Sequence, residues 1–336
     1  MANLGYELLG SSLALALFLT LNVAGAALAT LLWRGLRPYV SSWPAVKQAR
    51  WLFALRVLPT VLALFCISGL VVPSYVTYEK RDTDEPVRWL LALFAGLSLA
   101  GIIYALSRVV TSWLATRRLL ADWQRHSAPI RVWDKTLPAF RFRHPFPVIA
   151  VVGVFRPRLF VAEQLFTALS ETELAAALAH ESGHLAARDN LKRMLLRVCR
   201  DLLSVLPVGR TLDAAWYEAS ENAADEYAAG NDQQTALDLA TVLVKIARLA
   251  PTGIKLAVPV HASLINEHSE ILGGRVQRLL QLAGEDTPCP PKSSHLTLLG
   301  WASLLALTSL ALWVASCQPW GLEIHNILEW LVSSQP

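Results

Sequence analysis

The sequence predicts a mainly α-helical protein that crosses a membrane four times and carries one folded α+β domain. Of its 336 residues, 54% are hydrophobic and only 17% are charged, so the chain is more apolar and less charged than an ordinary soluble domain. Four stretches are apolar over about 20 residues, the length of helix needed to cross a bilayer. Residues 118–294, between the third and fourth stretches, are enough for a domain with its own core. A soluble globular protein is therefore not expected.

The membrane segments are predicted from these apolar stretches, which cover residues 8–33, 57–76, 89–107 and 295–317. The first stretch contains VAGAALA, which is similar to the cleavage site of a secretory signal. However, it follows Glu7, has no Lys or Arg before it and is longer than the apolar region of a signal, so we predict a retained helix. The chain then divides into three spans in 1–117, the folded domain 118–294, a fourth span 295–317 and a short extracytoplasmic tail 318–336.

The basic residues that flank the spans predict their orientation. The connection after the first span holds five basic residues and no acid, namely Arg34, Arg37, Lys47, Arg50 and Arg56. Because cytoplasmic connections carry the excess of Lys and Arg, this connection is expected in the cytoplasm and the acidic connection 78–88 outside. The same alternation places the domain 118–294 in the cytoplasm and both chain termini outside. We therefore expect a multi-pass protein of a bacterial inner membrane.

The charge pattern does not favour nucleic-acid binding. The formal net charge is only +4, and the basic residues are spread along the chain rather than gathered in one patch. The four cysteines form no closely spaced pair, so neither a disulfide framework nor a thiolate zinc site is indicated.

The folded domain is expected to begin with two short strands and to continue as helices. The segments VIAVVGVF and RPRLFVAE meet at an Arg-Pro pair, which predicts a short β-hairpin. Such a strand could pair with an extended peptide, although a purely structural hairpin is the simpler interpretation. Ser170 and Glu173 have capping-box spacing, and further helices are predicted at about residues 211–229, 235–249 and 270–282.

One helix of this domain contains the sequence HESGH. His180 and His184 are four residues apart, so both imidazoles lie on one face of a helix and could bind the same metal ion. Glu181 stands beside them for proton transfer. Asp189, five residues after His184, is expected to cap or tie down the end of this helix. The pattern predicts a zinc site with a catalytic glutamate.

Two histidines leave a zinc ion short of a protein ligand, because catalytic sites usually supply three. In the segment YEASENAADEYAAG, Glu221 follows His184 by 37 residues and is the preferred third ligand, with Glu218 and Glu226 as alternatives. Asp225 lies one turn after Glu221 and could accept a hydrogen bond from a ligand imidazole. Small residues around them would let the two helices approach closely; these are Ala223, Ala224, Ala228 and Ala229.

The HESGH helix followed by an E-x-x-A-D helix resembles the gluzincin metallopeptidases. The sequences VGVFRPRLFVAE and SETELAAALAHESGHLAARDNLKR resemble the BlaR/MecR-type integral-membrane metallopeptidases, over about residues 145–230 and in the layout of three helices before the domain and one after it. The resemblance implies a cytoplasmic gluzincin-like zinc endopeptidase domain. It further implies that one zinc ion is bound by His180, His184 and Glu221, with Glu181 as the general base.

The sequence also departs from that family. BlaR-type receptors continue past their fourth helix into an extracellular penicillin-binding sensor domain, whereas this chain ends about 20 residues after residue 316, so β-lactam sensing is not expected. The E-x-x-A-D pattern is also similar to the HtpX and CAAX-protease relatives. Three functions follow as hypotheses: cleavage of a cytoplasmic or membrane-associated protein such as a repressor, quality control of membrane proteins, and a non-catalytic signalling or scaffold role.

The expected mechanism follows from this set of residues. Zinc, when bound, activates a water molecule, and Glu181 accepts the proton and returns it to the leaving amine. The tetrahedral intermediate needs a hydrogen-bond donor, for which the sequence offers Tyr217, Tyr227, His268 and Arg275 without choosing among them.

Overall fold

The computed structural model describes residues 2–79, 87–130, 138–204, 206, 208–230, 232–249, 269–284, 323, 325–327 and 329–330. Three long helical segments form its amino-terminal part. Helix α1 is Ala2–Val40, and α2 (Ala45–Cys66) continues through a π-helical turn, Ile67–Val71, into α3 (Val72–Tyr78). Helix α4 is Trp89–Arg125.

These three segments are long and apolar enough to cross a membrane, over Leu4–Val40, Ala45–Tyr78 and Trp89–Arg125. The three apolar stretches predicted in 1–117 are thereby confirmed as parts of membrane-length helices. Helix α4 continues past residue 117 without a break, because residues 108–125 contain neither glycine nor proline. The predicted fourth span, 295–317, lies outside the described residues, as does most of the predicted tail 318–336.

The folded domain contains a mixed four-stranded sheet, in the order β1-β2-β4-β3. Its strands are β1 (Ser127–Ile130), β2 (Ala139–Phe142), β3 (Ile149–Val152) and β4 (Arg158–Ala162). The antiparallel pair of β3 and β4 confirms the predicted hairpin. The sequence analysis missed β1 and β2, which are only four residues long. These two strands pair with each other, and β2 also pairs in parallel with β4. Strand β3 lies at one edge of the sheet.

Six helices complete the described part of the domain: α5 (Leu165–Ala168), α6 (Glu171–Ala187), α7 (Asp189–Leu202), α8 (Arg210–Ala229), α9 (Gln233–Leu249) and α10 (Ser269–Gly284). The three later helices were predicted to within two residues at each end. The capping box is also confirmed, since Ser170 Oγ accepts from the Glu173 N–H and the Glu173 carboxylate accepts from the Ser170 N–H. The break between α6 and α7 was not predicted. It occurs at Arg188, whose φ of 54° is left-handed.

Two apolar cores position the candidate site. The first joins the sheet to α6 and α9, with Phe160, Ala177 and Leu239 fully buried. The second joins the facing ends of α1 and α2 to α7 and α8, and it includes Leu52 and Trp216. Helix α8 is therefore packed between the domain and the membrane helices.

Candidate metal centre

The two histidines of HESGH lie on the inner face of α6. His180 is 1% exposed, and the centroids of the His180 and His184 rings are 4.8 Å apart with perpendicular planes. This is the placement expected for positions i and i+4 of a helix, because they are one turn apart on the same face. The helix therefore presents two imidazoles to one point in space.

Helix α8 crosses α6 closely enough to add a carboxylate to this pair. A Cβ atom on Gly183 would lie 3.2 Å from both Ala224 Cα and Tyr227 Cβ, so the close approach depends on small residues in both helices. Glu221 Oε1 lies 3.4 Å from His184 Nε2, and Glu221 Oε2 lies 3.7 Å from His180 Nε2. The three potential ligand atoms are within 4.8 Å of one another, so these residues could hold a metal ion.

The two alternative glutamates are placed elsewhere. Glu218 is exposed on α8. Glu226 accepts a hydrogen bond of 3.2 Å from the backbone N–H of Ala45, at the start of α2, and pairs with Arg278. The structure thus brings Glu221, and neither alternative, next to the histidines.

Each histidine has a carboxylate at its second nitrogen. Asp225 Oδ1 is 2.8 Å from His180 Nδ1, and Asp189 Oδ2 is 2.7 Å from His184 Nδ1. Carboxylates in this position fix the ring orientation and leave Nε2 for a metal. Both ring nitrogens of His180 are buried and, among the described residues, neither makes a hydrogen bond of good geometry, although Nδ1 has the Asp225 carboxylate within 2.8 Å; Nε2 is thus left with its lone pair towards Glu221.

The role of Asp189 is more specific than the predicted helix cap. Asp189 begins α7, and the left-handed residue Arg188 turns the chain so that its carboxylate points back at α6. The sequence shows that Asp189 follows His184 by five residues. It does not show the left-handed turn that brings the Asp189 carboxylate to the His184 ring.

Two arginines surround the third potential ligand, and only one of them was singled out from the sequence. Arg193 Nη2 is 2.9 Å from Glu221 Oε1, and Arg275 Nη1 is 3.1 Å from Glu221 Oε2. Arg275 also donates to both oxygens of Asp225, at 2.7 and 2.8 Å. Arg193 was missed because its position depends on the turn before α7.

The charges of the centre favour a bound cation. Four buried carboxylates, Glu181, Asp189, Glu221 and Asp225, face the guanidiniums of Arg193 and Arg275 and the ammonium of Lys192, which lies 3.2 Å from Asp189 Oδ1. When both imidazoles are neutral, as metal ligands are, these groups carry one more negative than positive charge. An excess of buried charge is costly, and a divalent ion among the Nε2 atoms and Glu221 would offset it.

The same charges shift the pKa values of the site. Burial alone would raise the pKa of Glu221, but the charges of His184 and Arg275 outweigh it and hold this pKa well below its ordinary value. Burial alone would lower the pKa of His184, but Glu221 and the hydrogen bond to Asp189 raise it to about 9. Burial raises the pKa of Glu181 despite the two histidines.

A cleft of about 400 Å³ opens over these groups and is bounded by the end of β3. Glu181 Oε2 accepts a hydrogen bond of 3.2 Å from the backbone N–H of Val151. Asn190 Nδ2 donates to the carbonyls of Val151 and Gly153, at 3.0 and 2.9 Å. The adjacent residues Asp189 and Asn190 therefore connect α6 and β3 through one turn of α7. The sequence analysis did not identify Asn190.

The four predicted stabilisers of the intermediate have different surroundings. The ring of Tyr217 lies 5.1 Å from the guanidinium carbon of Arg193, and Tyr227 is 49% exposed beside Gly183. Arg275 is buried in its ion pairs with Asp225 and Glu221. His268 lies outside the described residues.

The segment that contains this centre is also similar in sequence to a known family. Residues 150–250 match the model of Peptidase family M48. The match runs from β3 to the end of α9 and includes both histidines and Glu221. It supports a membrane-type zinc metallopeptidase with protein or peptide substrates. It does not distinguish a BlaR/MecR-type regulator from an HtpX-like protease, and no curated protein matches the chain.

Proposed function

We propose that this protein is a membrane-embedded zinc endopeptidase whose ion is bound by His180, His184 and Glu221. The observation that carries the proposal is the convergence of these ligand atoms within 4.8 Å in a cleft that also contains Glu181. Structural zinc sites usually have four protein ligands, whereas catalytic sites have three and leave one position for water or substrate.

Zinc, when bound, supplies Lewis-acid activation of water and of the scissile carbonyl. Glu181 is the general base and later the general acid, because its raised pKa brings it closer to the range in which a carboxylate both accepts and returns a proton. The hydrogen bond from the Val151 N–H orients its carboxylate. Asp225 and Asp189 hold the two imidazoles with Nε2 towards Glu221.

The peptide substrate lies in the cleft beside the end of β3 in this proposal. The Val151 N–H and the Val151 and Gly153 carbonyls are bonded to Glu181 and Asn190, so these groups position the end of the strand and do not pair with the peptide. Asn190 holds the Val151 and Gly153 carbonyls, so it fixes the distance between this strand end and the metal centre. A rigid strand end would align the scissile bond with Glu181.

The catalytic domain 118–294 is placed in the cytoplasm, with both chain termini outside a bacterial inner membrane. Glu226 of α8 contacts the first residue of α2, so the metal centre is near the connection between α1 and α2. The ends of α1 and α2 that flank this connection carry Arg34, Arg37 and Lys47, and basic residues at such ends are typical of the cytoplasmic side.

The protein substrate is cytoplasmic or membrane-associated, with a repressor as the first candidate because the sequence around HESGH resembles the BlaR/MecR-type peptidases. Degradation of misfolded membrane proteins, as in HtpX-like proteases, is the second candidate. Proteins trapped by the Glu181→Gln variant distinguish them, since a regulator should trap one substrate and a quality-control protease many.

The experiment that tests the activity compares the wild-type full chain with Glu181→Gln. N-terminal proteomics of cells that express either form should show new protein termini only with the wild type, since loss of a general base lowers the rate by about 10²–10⁴-fold. The zinc content of the purified variant should be unchanged.

The matched control is Glu218→Gln, an exposed glutamate on α8 that should leave both measurements unaltered. If the Glu181→Gln strain produces the same termini and the same cellular function as the wild type, the enzyme proposal is wrong and a non-catalytic scaffold takes its place.

A further inference from the structure

Three arginines meet where α7 packs against α4, away from the metal centre. Arg108 belongs to α4, and Arg197 and Arg200 belong to α7. We call these three residues the arginine cluster. Arg197 Nη1 donates a hydrogen bond of 3.2 Å to the Ser112 hydroxyl of α4, which brings its guanidinium to the helix contact.

The arginine cluster contains more positive than negative charge. Asp201 is its only carboxylate partner among the described residues, at 3.8 Å from Arg108 Nε and 3.4 Å from Arg200 Nε. Within the described chain, no carboxylate pairs with Arg197, and its buried Nη2 atom has no hydrogen-bond partner. Burial lowers the pKa of Arg197, and the nearby charges of Arg200 and Arg108 lower it further, against a smaller opposing effect of Asp201.

Such an arrangement is costly unless an anion completes it. A buried guanidinium nitrogen without a partner loses its hydration and gains nothing in return. Like charges at close range add to that cost. A phosphate group would accept hydrogen bonds from several guanidiniums at once and offset the excess positive charge.

The position of the cluster indicates where that phosphate comes from. Arg108 directly follows the apolar stretch 89–107 of α4, so it lies at the depth of the lipid headgroups when this stretch crosses the bilayer. The side chains of Arg108 and Arg200 are 49% and 44% exposed, and a headgroup could reach both. Exposed Trp113 lies on the next turns of α4 with Arg117 against its ring, as is typical of a membrane interface.

We propose that the arginine cluster binds the phosphate of an anionic phospholipid from the leaflet that faces the metal domain. The lipid phosphate lies at the exposed edge of the contact between α4 and α7 and accepts hydrogen bonds from Arg108 and Arg200, while Arg197, held on Ser112 behind them, adds its positive charge. Basic pockets next to membrane helices select anionic headgroups in this way. The proposal does not depend on the peptidase activity.

Native mass spectrometry of the full chain in neutral detergent tests the proposal. Phosphatidylglycerol should bind more tightly than phosphatidylcholine with the same acyl chains. Arg197→Gln and Arg200→Gln should each weaken phosphatidylglycerol binding about fivefold, the ratio that corresponds to roughly 1 kcal/mol per basic residue at a lipid surface. Arg118→Gln, an exposed arginine on the same helix α4, is the matched control and should bind like the wild type.

Arg200 is exposed, so Arg200→Gln should fold normally, and its melting temperature should equal that of the control. Equal binding of the two lipids by the wild type, or wild-type binding by both cluster variants, would overturn the proposal. A third arm adds millimolar inorganic phosphate. If free phosphate displaces phosphatidylglycerol completely, the site binds a soluble anion and the lipid assignment is wrong.

Discussion

Each histidine of the candidate metal centre depends on a carboxylate that is not itself a ligand. Asp225 reaches His180 from α8, the helix that also carries Glu221. Asp189 reaches His184 from the first residue of α7. The two imidazoles are therefore held from different helices, and both Nε2 atoms face Glu221.

Replacement of Asp189 should weaken zinc binding without unfolding the domain. In Asp189→Ala, His184 loses the partner of its Nδ1 atom, and zinc affinity should fall about 10–100-fold, as expected for a residue that orients a metal ligand. Asp189→Asn keeps an acceptor oxygen but loses the charge, so its affinity should be intermediate. Competition with a chromophoric chelator measures both.

The control for this experiment is Asp232→Ala. Asp232 is an exposed residue that accepts a hydrogen bond from the Thr235 N–H at the start of α9, so its loss should affect that helix end and not zinc. Unchanged zinc affinity in Asp189→Ala would mean that the contact with His184 does not support the metal site.

At the level of helices, the metal centre depends on how closely α6 and α8 approach. Gly183 lies at their contact, where an added Cβ would be 3.2 Å from Ala224 Cα. This distance is shorter than ordinary van der Waals contact, so a side chain here would push α8, and with it Glu221, away from the histidines.

Gly183→Ala should therefore lower both stability and zinc affinity. The expected loss is about 1–3 kcal/mol, which is typical of overpacking, and thermal unfolding of the purified chain measures it. Gly273→Ala in α10 is the matched control, because among the described residues no atom beyond its own helix backbone lies within 4 Å of its added Cβ. Alanine is favoured over glycine in a helix by about 1 kcal/mol, so the control should be at least as stable as the wild type. Equal stability of the two variants would contradict the close contact.

At the level of the whole molecule, a buried ion pair connects a membrane helix to the helix that carries Glu221. Arg56 Nε of α2 donates to Asp213 Oδ1 of α8 at 2.8 Å, and the Arg56 side chain is 1% exposed. One turn further along α8, Trp216 packs against Phe53. Gly209 has a φ of 86°, and its missing side chain leaves room for the Arg56 guanidinium.

Arg56→Leu should destabilise the protein by about 3–5 kcal/mol, because it leaves Asp213 largely buried without its partner. The double variant Arg56→Leu/Asp213→Leu should recover much of this loss, since no unpaired charge remains. Melting temperatures of the three forms in detergent measure the effect. If Arg56→Leu melts at the wild-type temperature, the ion pair does not join the membrane helices to the domain.

Local patterns were sufficient to predict most of the described helices and half of the sheet, but not the short helix α5 or the break between α6 and α7. The length of the apolar stretches predicts the three membrane helices, and the spacing of Ser170 and Glu173 predicts the start of α6, because each depends on residues close together in the chain. The strands β1 and β2 could not be recognised. Each has only four residues, too few to show a clear strand pattern. They form strands because β1 pairs with β2 and β2 pairs with β4.

The candidate metal centre also has a part that local sequence predicts and a part that it does not. His180 and His184 lie on the same face of α6 because one helical turn separates them. The sequence favoured Glu221 over Glu218 and Glu226 as the third potential ligand. Which of the three lies next to the histidines depends on how α8 crosses α6, and this is visible only in the tertiary structure. The contacts of Asp189, Asn190 and Arg193 depend on the left-handed turn at Arg188, and the pair of Arg56 and Asp213 joins residues 157 positions apart. Periodicity is a property of short segments, whereas the partner of a buried charge depends on how distant segments pack.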